Sequence, residues 1–146
     1  MKKFDFRLQK VMEYKEHKEK EKQRELAKAK DRLRSELERL LGLNQRQAFY
    51  HDHVRKINLD KMNLRELSLY QTYLQKLSQE ILHQKCQVRT SEENVSESRK
   101  KLLESSKEKK TLETLRAKKF QAYRKEMDRT EQKEIDESAK RPFQKS

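Results

Sequence analysis

The chain has 146 residues, 43% of them charged and 32% hydrophobic, with a single Gly, a single Pro and a formal net charge of +13. So few turn formers and so little apolar content exclude a compact globule with a three-dimensional core, and leave either disorder or a narrow seam between helices. Sustained seven-residue periodicity decides for the seam.

The first predicted helix covers residues 4–57. Leu26, Leu33, Leu40 and Val54 recur in one heptad phase, with Met12 in phase upstream and Gln47 as the polar member of the row. Gly42 lies inside this helix at a cost of about 1 kcal/mol relative to Ala, but the phase continues across it.

A turn is expected at 58–63. Asn58 and Asp60 compete well for backbone hydrogen bonds in turns. Asn63 followed by Glu66 has the form of an N-cap with its return partner.

The second helix is expected over residues 64–138, followed by a flexible tail at 139–146. Leu67, Leu74, Ile81, Val88, Val95 and Leu102 recur every seven positions without a miss. The two rows mirror each other: 54 faces 67, 40 faces 81, 33 faces 88 and 26 faces 95, and each pair sums to 121. A chain folded back near residues 60–61 produces that relation. The expected fold is all-α, a single long antiparallel two-helix coiled-coil hairpin whose second helix is the longer.

The intermediate layers are uneven. Tyr50 against Tyr70 and Leu43 against Leu77 bury well near the turn. Farther out the pairs become Ala29 with Ser91, Lys22 with Ser98 and Lys15 with Ser105, so the outer half is expected to be looser. In the same register Phe4 lies opposite residue 117. The second helix then overhangs from about Lys118, carrying Phe120, Tyr123 and Met127 with no internal partner.

No catalytic constellation is visible. Cys86 and His83 are three apart, but a metal site needs three or four ligands and no second pair has comparable spacing. His51 and His53 point to different helix faces. Cys86 is expected as a small interior or boundary residue, and a lone cysteine forms no internal disulfide. One glycine cannot build a phosphate-cradling loop. Neither an enzyme nor a metal nor a cofactor is expected. The N-terminus lacks the apolar stretch of a signal peptide, and no window is apolar enough to span a bilayer, so a soluble cytoplasmic protein is expected.

The 38 basic residues are interleaved with 25 acidic ones. Such a mixed face, as in Lys15 through Lys22, favours approach to an acidic protein or membrane-proximal surface over nucleic acid. Tyr73 falls off the seam at its margin. A Tyr displayed there either covers the seam edge or anchors a partner.

Three segments carry a resemblance. Phe4-x-Phe6-x-Leu8-Gln9-Lys10-Val11, then Leu69-Tyr70-Gln71-x-Tyr73-Leu74-x-x-Leu77, and finally Glu131-Gln132-Lys133-Glu134-Ile135-Asp136-Glu137 occur in the order found in the flagellar export protein FliJ family. The chain resembles that family over nearly its whole length. The resemblance implies a non-catalytic stalk similar to the γ subunit of rotary ATPases, at the membrane-peripheral export apparatus. It implies binding to the export ATPase FliI and promotion of its hexameric ring. It also implies a link to the cytoplasmic domain of the gate protein FlhA, and traffic with export chaperones. By that analogy Tyr70, Tyr73 and Leu77 face the gate, with Glu80 and Gln84 more polar than the family pattern. Phe4, Phe6, Leu8, Phe120, Tyr123, Met127, Gln132, Lys133, Asp136 and Glu137 face the ATPase. The alternatives are the stalk of a virulence-type secretion system and a basic coiled-coil nucleic-acid binder.

Overall fold

The structure, a computed structural model, describes residues 2–57 and 64–144. Two helices, α1 (Gln9–Lys56) and α2 (Leu64–Gln144), pack against each other as a hairpin with the second helix longer. The expected turn, with Asn58, Asp60 and Asn63, lies outside the described residues. The chain divides into two compact units, one made of Met1–Glu21 with Leu103–Ser146 and the other of Lys22–Leu102.

In the Lys22–Leu102 unit the buried face of α2 steps by alternating threes and fours, through Leu74, Leu77, Ile81, Gln84, Val88, Ser91 and Val95. That spacing keeps one stripe of a helix facing its neighbour. Its best-packed point is a cluster of Leu43, Leu77 and Ile81 with Leu40 against it, as the mirrored numbering requires. Gln84 is only 2% exposed. Its side-chain amide donates to the Glu36 backbone carbonyl at 2.9 Å and also to the Glu36 carboxylate. Gln84 is therefore an inward member of the seam, with its donors satisfied, and not the edge of a surface patch. Gln47 likewise donates across the hairpin, to Ser78 at 3.1 Å.

In the other unit the polar layers are bridged by charge. Ser105 is buried, and half-buried Lys15 reaches across to Glu108 at 2.8 Å. Lys109 sits 3.6 Å from Glu19 and 3.7 Å from Glu113.

Three expectations are corrected. Helix α1 begins at Gln9 instead of residue 4, because Phe4, Phe6 and Leu8 alternate with polar Asp5 and Arg7, and alternation suits extended chain. Helix α2 continues to Gln144, past the expected end at 138. Ala139, Lys140 and Arg141 are good helix formers, and nothing before Pro142 interrupts them. Cys86 is exposed, two positions from both Gln84 and Val88 on the inward stripe, and is not an interior residue.

Candidate functional site

The predicted site residues fall into two groups, one in each unit. The first is aromatic and bridges α1 and α2 near the ends the turn connects. Tyr50 meets Tyr73 edge-on at 4.8 Å and lies 6.4 Å from Tyr70. His53 lies 5.7 Å from Tyr70 and stacks nearly parallel on Phe49 at 6.2 Å. Phe49 also stands edge-on to Tyr50. Phe49 is 65% exposed and Tyr73 36%, so the cluster opens to solvent. Leu77, by contrast, is 2% exposed and belongs to the core. It presents nothing to a partner. Phe49 and His53 are additions that the heptad pattern did not reveal. Their signal is local: an aromatic next to Tyr50, with a histidine one helical turn farther on.

The second group lies in the unit formed by the chain start and the end of α2. The overhang expected to stand without an intramolecular partner has one. Residues 2–6 form a non-helical arm along α2 that joins α1 through a turn at Arg7 and Leu8, with Phe6 buried and Phe4 and Leu8 half-buried. Phe4 packs edge-on against Phe120 at 5.2 Å and against Tyr123 at 5.5 Å, and the Arg116 guanidinium lies 5.8 Å from its ring centre. The Tyr123 hydroxyl donates to the Lys2 backbone carbonyl.

The reach of the arm follows from rise per residue. Extended chain advances about 3.3 Å per residue and a helix about 1.5 Å. Each arm residue therefore passes about two residues of α2. A helical start would have placed Phe4 opposite 117; an extended one carries it to 120–123.

Where the arm ends, a groove of about 430 Å³ is lined by Lys2, Tyr123, Met127 and Thr130 with three glutamates of α2. Beyond Met127 every residue to Arg141 is exposed. Gln132 donates to Asp136 at 3.2 Å on the helix surface, while Lys133 and Glu137 point to solvent. A second groove, of about 660 Å³, runs along α2 between Lys107 and Lys118 and is lined by three lysines, Thr111, Thr114 and Leu115.

Among the described residues no group of three or more His, Cys, Asp or Glu is placed to hold a metal ion. No described helix is long and apolar enough to cross a membrane.

A comparison with protein families matches residues 3–146 to the family described as flagellar FliJ protein. The chain belongs to the FliJ family. No curated protein and no solved structure matches it. FliJ membership covers residues of both units, and it makes the chain a protein related to flagellar type III export. The FliJ family is one of non-catalytic, stalk-like export proteins.

Proposed function

We propose that this chain is a non-catalytic stalk and adaptor of the flagellar type III export apparatus. It binds the export ATPase FliI, promotes assembly and activity of the ATPase ring, and links that ring to the cytoplasmic domain of the gate protein FlhA. It works in the cytoplasm, peripherally at the membrane-bound apparatus, and also handles export chaperones. The match to the family over residues 3–146 carries this reading.

The ATPase contact is assigned to the unit holding the arm and the end of α2. Phe4, Phe6, Leu8, Phe120, Tyr123 and Met127 supply its apolar part, and Gln132, Lys133, Asp136 and Glu137 its polar part. The exposed stretch from 128 to 141 supports this, because a solvated helix without an internal partner is a ready surface for another protein. The gate contact is assigned to the aromatic cluster of the other unit, through Tyr73 and Tyr70, with Leu77 buried in the same unit. Such a protein acts by binding one state of the ATPase assembly better than another, since a ligand shifts an equilibrium only by that difference.

The test is the ATP hydrolysis rate of the cognate export ATPase, titrated with the full chain and with a chain truncated after Lys118. Stimulation by the first alone supports the reading. No stimulation by either, with an ATPase shown to be active, sinks it.

A second reading, polyanion binding, has one observation in its favour: the groove with Lys107, Lys110 and Lys118. Nucleic-acid affinity that falls steeply with salt would favour it.

A further inference from the structure

The strip of α2 assigned above to the ATPase is the strip on which the arm lies. Phe4 covers Phe120 and Tyr123, and Phe6 is buried. In the free chain the two apolar halves of the assigned contact therefore face each other and leave little for a partner.

We propose that the arm is a latch. Residues 2–6 close over α2 in the free protein and swing off when the ATPase binds, which uncovers Phe120 and Tyr123 and frees Phe4 and Phe6 at the same moment. The proposal rests on the ATPase-binding reading and names how that contact is regulated.

Three features of the arm suit it to release. Its hold is made by side chains: among the described residues the one hydrogen bond between arm and α2 is from the Tyr123 hydroxyl to the Lys2 carbonyl. Among the described residues its backbone-to-backbone bonds lie only where it joins α1, from Gln9 to the Phe6 carbonyl and from Met12 to the Leu8 carbonyl. That junction is a hinge at which the arm can turn without breaking either helix. The cover is also incomplete, since Phe120 remains 42% exposed.

There is an entry point as well. The groove at the arm's free end is bounded by Lys2 on one side and Met127 and Thr130 on the other. Past it α2 is bare, with Ile135 60% exposed. A partner that lands on this bare end meets the arm at its last residue and can peel it back toward Gln9. A latch of this kind lowers apparent affinity by the fraction of time it is open, and so sets the ease of capture without altering the contact itself.

The experiment uses the full chain with Cys86→Ser, which removes the exposed native thiol, and nitroxides on Lys3→Cys and Arg124→Cys. Electron–electron distances are measured free and with the ATPase. A short distance in the free chain that lengthens by about 13 Å, the span of the four residues from Lys3 to Phe6 when extended, is the expected result. A distance already long in the free chain, or unchanged in a sample shown to be ATPase-bound, overturns the latch and leaves the ATPase reading standing. Failure of the unmodified chain to bind the ATPase overturns both. The same cysteine pair joined by a short bis-maleimide should stimulate the ATPase on the order of tenfold less than the pair capped singly. Equal stimulation by the two also overturns the latch.

Discussion

The Phe4 ring stands edge-on to the Phe120 ring at 5.2 Å, so the first residues of the chain complete the apolar face of α2 at a point more than a hundred residues farther along. An edge-to-face pair contributes about 0.5–1.5 kcal/mol beyond the area it buries. A cation over an aromatic face at an exposed site, as Arg116 is over Phe4, adds about 0.5–1 kcal/mol. Phe4→Ala should therefore speed amide hydrogen exchange of α2 near Phe120 and Tyr123 by roughly five- to thirtyfold, as expected for a loss of about 1–2 kcal/mol. Exchange around Leu77 and Ile81 should not change. Protection that stays the same at Tyr123 would mean the arm does nothing to hold α2.

Gln84 is a polar residue in an apolar row, and its amide is satisfied twice by Glu36. Gln84→Ala leaves a half-buried carboxylate and a carbonyl without their donor. The expected cost is about 1–3 kcal/mol, read as a lower urea midpoint at unchanged slope. Replacing both Gln84 and Glu36 by Leu should recover that loss, because two apolar groups of similar shape need no partner. A double variant as unstable as Gln84→Ala would show that the pair contributes something other than mutual satisfaction.

The mirrored heptad rows made the hairpin and its register legible before any coordinates, since Leu40, Leu43, Leu77 and Ile81 meet where their numbering says they should. The arm was less legible. Its five-residue alternation from Phe4 to Leu8 is short, and it adjoins a strong helical pattern that invites extension backward. Even once it is seen as extended, nothing local says that its apolar side lies on Phe120. The placement of Cys86 shows the limit from the other side. Residue type suggested an interior or boundary position, but Gln84 and Val88 own the inward positions around it and Cys86 is exposed. For the contact surfaces, Tyr73 was legible as a margin residue. Phe49 was not, because an aromatic off the heptad has no periodic signal.

Gly42 lies in mid-helix, and a Cβ added there meets nothing within 4 Å. Gly42→Ala removes the entropy that a glycine loses on folding and should stabilise the chain by about 0.5–1 kcal/mol. Thermal unfolding followed by circular dichroism should show a higher midpoint. A lower one would indicate that the helix bends at this residue in solution.

Acid should loosen the unit held by Lys15 and Glu108. The hydrogen bond from the Lys15 ammonium, and then its charge, hold the Glu108 carboxyl below the usual carboxylate range. A carboxylate whose pKa is depressed on folding contributes stability that is present above its unfolded pKa. That contribution is lost as pH falls through the folded value. Glu108→Gln should therefore flatten the acid limb of a stability–pH profile and leave the neutral and alkaline limbs parallel to wild type. The pair is exposed to solvent, so the effect should also shrink with added salt. An acid limb identical in the two proteins would assign the dependence to other carboxylates.

Tyr73 and Leu77 are one turn apart and were assigned to one surface, yet the structure separates their roles. Tyr73 has its ring against Tyr50 and one side to solvent, while Leu77 is enclosed by Leu43 and Ile81. Tyr73→Ala and Phe49→Ala should each weaken binding to the FlhA cytoplasmic domain about five- to thirtyfold, the range for truncating an aromatic anchor. Helix content and melting temperature should barely move. Leu77→Ala should do the reverse at first sight: it costs about 2–5 kcal/mol of stability through the cavity it leaves. Any loss of gate binding in that variant should then return on cooling or at higher chain concentration if folding is the cause. Titration calorimetry of the three variants beside their melting curves separates the cases. Full gate affinity in both aromatic variants would remove the cluster from the contact, however well Leu77→Ala behaves.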